Sequence, residues 1–193
     1  MEQGLKVNVV GTSSVGKTTF CKKLSKILSI PYIEMDALFW GPNWYMPSNE
    51  EFLPKLRLAL KGSSWILDGN YHSRTTPLKW KSITTVIWLD FSFPRVLYQA
   101  VIRGTKRIIS REELWPETGN RETLKALFSK DSIVLFAIKS FRKIRKRYKA
   151  VMESDFYSNI QFIRLKSPKE VNLFLSKVKS HRELIFDGTI KWR

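Results

Sequence analysis

Disulfide and metal chemistry find little material in this 193-residue sequence, which has one cysteine, Cys21, and two histidines, His72 and His181. One thiol closes no internal disulfide, and one thiol with two imidazoles falls short of the four ligands of a usual structural zinc site. A reducing compartment follows, and the cytoplasm is the expected location. Long apolar runs are lacking too. The longest covers residues 133–138, far below the roughly 20 residues that span a bilayer. The start, Met1-Glu2-Gln3-Gly4, has neither the basic nor the apolar region of a secretory leader. Acidic residues are scarce: 17 Asp and Glu stand against 34 Lys and Arg, a net charge of +17. Such a field draws polyanions, whether nucleotide, nucleic acid or anionic lipid, and has no bearing on fold.

Core material is plentiful, with 43% hydrophobic and 13% aromatic residues. A chain of this length buries roughly 70% of its unfolded surface in one domain. We expect a single domain over residues 1–180, with a lid insertion at about 103–125 and a C-terminal tail at 181–193, where Asp187-Gly188 between apolar residues suits a small hairpin. Seven of the eleven residues 139–149 are basic (Lys139, Arg142, Lys143, Arg145, Lys146, Arg147, Lys149). That segment reads equally as a solvated helix face or a phosphate-binding surface.

Strand-like and helix-like segments alternate. Residues 5–10 form a β-branched run ending at Gly11, and from Lys17 onward Phe20, Leu24, Ile27 and Leu28 fall at helical spacing. Residues 31–35 suggest a second strand ending at Asp36. Ser48 with Glu51 has capping-box spacing for a helix to about residue 61, although Pro54 is expected to disturb its early turns. Residues 64–68 and 84–90 are two more strands, each ending in an acid. Phe93-Pro94 opens a basic helical stretch, interrupted at residues 115–119 and restarted at Thr118 or Asn120. Residues 161–165 make the last strand, and Ser167-Pro168-Lys169-Glu170 caps the last helix. Such alternation implies a parallel sheet with right-handed crossovers.

The segment Gly11-Thr12-Ser13-Ser14-Val15-Gly16-Lys17-Thr18, followed by Thr19, fits G-x(4)-G-K-[ST] between a strand and a helix, the context that gives the pattern its physical meaning. Glycine permits the positive φ and close approach that let backbone N–H groups converge on phosphate oxygens, and the helix N-terminus adds positive potential. Lys17 is then expected to bridge the β- and γ-phosphates of ATP and Thr18 to offer its hydroxyl to Mg²⁺. Phosphoryl transfer also needs carboxylates near the metal or the acceptor hydroxyl. Asp36, Asp68 and Asp90 follow strands and so fall where ligands collect in a parallel sheet. Asp68 is the expected metal partner of Thr18, or else a turn cap. Asp36, with Trp40 and Trp44 close by, is expected to accept the acceptor's proton or hold metal-bound water, and the tryptophans to stack on a base or to be core. Asp90 resembles a helix start and ranks last. Arg103, Arg107 and Arg111 are spaced to share one helix face, as a solvated stripe or as a cationic cover over transferring phosphate.

These blocks resemble the nucleotide-kinase branch of P-loop proteins, and within it the adenylate kinase-like family labelled DNA topology modulation protein. The resemblance rests on residues 11–18, Met35-Asp36-Ala37-Leu38-Phe39-Trp40 with Trp44, Trp65-Ile66-Leu67-Asp68-Gly69-Asn70-Tyr71, Val86-Ile87-Trp88-Leu89-Asp90, and Arg107 through Arg111-Glu112-Glu113-Leu114-Trp115 to Gly119-Asn120-Arg121-Glu122. It implies an α/β fold: a three-layer αβα sandwich with a five-stranded parallel sheet and a helical lid rich in arginine. ATP and Mg²⁺ are the implied cofactors. Adenylate kinases end the third strand in Asp-Gly-Phe-Pro-Arg, whereas here Asp68-Gly69 runs into Asn70-Tyr71-His72. The arginine that grips a monophosphate acceptor has no counterpart at that position; Arg74 is near but unmatched. The Asp36 block is similar to uridine and nicotinamide riboside kinases, favouring a nucleoside or another small alcohol. Asp36, Trp40, Asp68, Asn70 and Tyr71 are the expected acceptor residues. The competing expectation is a nucleic-acid-binding P-loop NTPase or regulator acting through the basic surface.

Overall fold

The centre of the molecule is a strand whose residues Val7, Val9 and Val10 have no solvent exposure. A strand covered on both faces reads as an unbroken β-branched run, as parallel sheets require. The computed structural model describes residues 4–70, 75, 79–123 and 133–181. Tyr71, His72, Arg74 and the expected tail hairpin lie outside these residues. β1 (Lys6–Gly11) pairs in parallel with β3 (Trp65–Asp68) on one side and β4 (Thr85–Leu89) on the other. β2 (Tyr32–Glu34) and β5 (Gln161–Leu165) complete the sheet, in the order β2-β3-β1-β4-β5. The chain thus builds away from β1 in both directions, and ligands bind at the carboxyl ends of strands where such a sheet reverses.

Helices cover both faces. They include α1 (Lys17–Leu28), α2 (Met35–Phe39), α3 (Asn49–Ala59), α4 (Phe93–Ser110), α5 (Ile133–Met152) and α6 (Pro168–Ser180). On one face Leu24, Leu28, Phe174 and Val178 of α1 and α6 pack against Val7, Val9, Ile87 and Ile163. On the other, Met35, Phe52 and Leu56 of α2 and α3, with Ile144 and Tyr148 of α5, pack against Val10, Leu67, Val86 and Trp88. The expected five-stranded αβα architecture is therefore present.

Three local expectations need correction. β2 stops at Glu34, and Asp36 lies in the first turn of α2 instead of ending the strand. Pro54 does not delay α3, which starts at Asn49 with a full capping box: Glu51 N donates to Ser48 Oγ at 3.3 Å and Ser48 N to Glu51 Oε2 at 2.8 Å. Pro54 is on the exposed side of the helix, where the carbonyl it leaves without an N–H partner can face water. Finally, the stretch expected as a lid is helical only to Ser110 among its described residues. Arg111 is its C-cap at φ 49, and residues 119–123 are irregular, so neither Thr118 nor Asn120 restarts a helix among the described residues.

A candidate phosphate-transfer site at the carboxyl ends of the strands

The loop between β1 and α1 has the shape that its glycines allow. Gly11 (φ 147) and Gly16 (φ 98) occupy backbone conformations that favour glycine, and Ser14 joins them at φ 64. A Cβ on Gly11 would lie 2.6 Å from the Leu89 carbonyl oxygen, so β4 presses directly on the start of the loop. Lys17 opens α1, whose first turn carries no acidic residue to offset the helix N-terminus. Its Nζ donates to the Gly11 and Thr12 carbonyls, each at 3.2 Å. Asn70, expected at the acceptor, instead grips the loop: its Oδ1 accepts from Gly11 N at 3.1 Å and its Nδ2 donates to Gly11 O at 2.8 Å.

Thr18 and Asp68 meet, Thr18 Oγ1 donating to Asp68 Oδ2 at 2.7 Å. Tyr32 also donates to that oxygen, at 3.4 Å. Asp68 is only 6% exposed. Burial raises its carboxyl above the usual range, and Asp36 adds to this, while Lys17 and the Thr18 bond work against it. Glu34, opposite Asp68 in the β2–β3 register, is likewise pushed up, chiefly by burial. Burial, followed by Asp68 and Glu34, drives the Tyr32 phenol far above its ordinary value, so it remains a donor. Tyr32 and Glu34 are not strand-terminal aspartates and so do not stand out in the sequence pattern. Their alternation in β2 was the available signal.

Arg103 joins this group across the cleft. Burial, then Arg107, lowers its guanidinium from the ordinary value, whereas Glu122, Asp36 and Asp68 hold it up. Its Nε is buried with no hydrogen-bond partner. Arg107 pairs with Glu122 at 3.7 Å, a partner the sequence pattern did not single out. Arg111 departs from the shared face because α4 has ended before it. Asp90 is also removed from the cleft: Arg164 Nε donates to its Oδ2 at 2.9 Å, and Arg145 Nε lies 2.8 Å from its Oδ1.

The tryptophans serve one another. Trp40 stacks on Trp115 with centroids 6.1 Å apart and planes at 15°, and Trp44 meets both edge-on at 5.6 and 5.9 Å. Asn120 reinforces the contact, accepting from Trp44 N at 2.8 Å and donating to Gly41 O at 3.0 Å. The stretch after α4 is thereby fastened to the turn after α2.

Among the described residues, one concavity borders the loop and another lies on α5. One, of about 210 Å³, lies beside Gly16 and Thr19 and is lined by Phe91, Gln99, Pro168 and Asn172. Gln99 Oε1 is buried without a hydrogen-bond partner. The other, of about 490 Å³, lies on α5 between Phe141, Arg142, Arg145, Lys146 and Lys149.

The sheet order, with a glycine-rich loop and helix N-terminus after its central strand, defines a P-loop α/β protein. No protein-family model matches the sequence, and no curated protein matches it. Among solved structures it is similar to shikimate kinase from Bacteroides thetaiotaomicron, over 93% of this chain and 99% of that chain, with a TM-score of 0.49 and 15% identity. No helix among the described residues is long and apolar enough to cross a membrane.

Proposed function

We propose that the chain is an ATP-dependent small-molecule kinase of the adenylate kinase-like or nucleoside kinase type, transferring the γ-phosphate of ATP to a small acceptor. The observation that carries this reading is the 2.7 Å contact of Thr18 with Asp68 at the mouth of the loop that Lys17 begins to close. A hydroxyl beside a buried carboxylate is a fitting oxygen pair for Mg²⁺, which takes few protein ligands and keeps most of its water. Bound there, Mg²⁺ would neutralise charge on the β- and γ-phosphates.

The N–H groups of Ser13, Ser14, Val15, Gly16, Lys17 and Thr18 hold the phosphates, with Gly11, Thr12 and Thr19 next to them, and Lys17 exchanges its loop carbonyls for phosphate oxygens. The 210 Å³ concavity takes the base, and Gln99, which lines it, turns its buried and unpartnered Oε1 to accept from an exocyclic amine. Asp36 accepts the proton of the acceptor hydroxyl as its oxygen bonds to phosphorus. The bond from phosphorus to the β-γ bridging oxygen breaks, leaving ADP and a phosphate ester. Arg103 stabilises the charge on the equatorial oxygens. Residues 103–125 act as the lid of a single domain spanning residues 1–180, working in the cytoplasm. Arg107 and Arg111 serve the lid, and Trp40 and Tyr71 border the acceptor.

Labelled ATP offered with nucleosides, nucleoside monophosphates and small hydroxy acids tests this. Transfer to at least one acceptor, lost in Lys17→Ala with the fold retained, is expected. No transfer across the panel refutes it. A second reading, a nucleic-acid-binding P-loop NTPase or regulator, has one observation in its favour: α5 carries the basic groove and no acidic residue. Duplex DNA binding that falls steeply with salt is its signature, and no shift at low salt removes it.

A further inference from the structure

Lys79 has no solvent exposure, while Lys81 two residues later is exposed. Its Nζ donates to the Asn70 carbonyl at 2.7 Å. Among the described residues no carboxylate pairs with it. The charged group that bears on it is Arg147 of α5, of the same sign, and burial followed by this repulsion lowers the amine to about 7.

An ammonium buried with no counter-ion among the described residues is costly, and a methionine of similar length would fill the space without that cost. Lysine needs a task to be worth its place, and its hydrogen bond supplies one. A charged donor binds a carbonyl more strongly than a neutral one. The carbonyl belongs to Asn70, whose side chain engages both backbone groups of Gly11. Gly11 O is in turn one of the two carbonyls that receive Lys17 Nζ. A line of hydrogen bonds therefore runs from the buried amine through Asn70 to the first residue of the loop. Two residues before Asn70 stands Asp68, separated from it by Gly69 at φ 136.

We propose that Lys79 is a positioning residue of the phosphate loop: by holding the Asn70 main chain it keeps the Asn70 side chain on Gly11 and so fixes the loop in the shape that receives polyphosphate. This rests on the reading of residues 11–18 as a polyphosphate site, but its main readout does not require binding. Without its rear anchor, the turn after β3 gains freedom, and the two bonds to Gly11 open more often. The sheet itself is unaffected, because β1 is held by β3 and β4 along its own ladder.

The test uses the full chain with Lys79→Met, which keeps the volume and removes donor and charge. Amide hydrogen exchange at Gly11 is expected to accelerate about tenfold or more, while Val7 and Val9 keep their protection. The Kd for Mg·ATP is expected to rise about tenfold, equivalent to the loss of one hydrogen bond. Lys79→Gln, which retains an N–H donor, should recover part of both effects. Unchanged exchange at Gly11 overturns the proposal, and so does acceleration shared equally by all β1 amides, which marks a packing role only. If Lys79→Met does not fold, the wild-type Gly11 amide and Asn70 side-chain signals are followed against pH. Movement of both with a midpoint near 7 supports the relay, and no movement overturns it. If the wild type fails to bind ATP, the kinase reading falls while the exchange result still decides the role of Lys79.

Discussion

Asn70 brackets Gly11, taking its N–H at 3.1 Å and giving a hydrogen to its carbonyl at 2.8 Å. One side-chain amide thus does for the end of β1 what a neighbouring strand does for its middle. Asn70→Ala removes both bonds from a part-buried backbone. The expected result is a loss of about 1–3 kcal/mol in stability by urea unfolding, together with weaker Mg·ATP binding by calorimetry. Unchanged affinity would show that the loop keeps its shape without this clamp.

The buried amine of Lys79 makes a prediction about pH. Lys79 titrates near 7 when folded, against 10.5 for the ordinary side chain. Between those values the unfolded chain holds more protons than the native one, so this group's contribution to stability rises with pH across the window. Below 7 its full cost is present. The effect is about 1.4 kcal/mol per pH unit for one proton. Denaturation of wild type and Lys79→Met from pH 6 to 9.5 should show the wild type gaining on the variant by a few kcal/mol over that range. Parallel curves would contradict the assignment.

Trp40, Trp44 and Trp115 should behave as one optical unit. Asn120→Ala deletes the two bonds that fasten the stretch after α4 to the 41–44 turn. The stack should loosen, with a red-shifted emission and a weaker near-ultraviolet circular dichroism signal, and stability should fall by about 1–3 kcal/mol. A spectrum identical to the wild type would mean that the rings hold the contact alone.

Base selection is predicted to depend on Gln99. Its Oε1 is an unpartnered acceptor beside the loop, suited to the exocyclic amine of adenine and mismatched to the carbonyl oxygen of guanine in the same position. Gln99→Leu should bring the Kd values for ATP and GTP closer by about one order of magnitude, the scale of one hydrogen bond to a buried acceptor. An undiminished preference for ATP would place recognition elsewhere.

Much of the architecture was legible because it is written in local chemistry. The β1 valines, the glycines of the loop, Ser48 with Glu51, and Ser167 before Pro168 each state their own backbone conformation. The meeting of Thr18 and Asp68 was also readable, since a strand end and a helix start in this order converge by topology. What was not readable depends on partners distant in the chain. Asn70 looked like an acceptor residue because nothing near it in sequence points to Gly11. Asp90 looked available until Arg145 and Arg164 arrived from other elements. Trp40 invited a base, yet its ring already faces Trp115. Lys79 resembled any other lysine in a basic chain, and only packing reveals that it is inside.

The indole stack has a further consequence for fidelity. Trp40 is the C-cap of the short helix α2 that bears Asp36, so the proposed proton acceptor and the lid stretch share a mechanical connection of a few residues. Displacement of Trp115 would tilt α2 and carry the carboxylate with it. On the proposed kinase reading, admission of bulk solvent and loss of the base would then coincide, which would disfavour wasteful ATP hydrolysis.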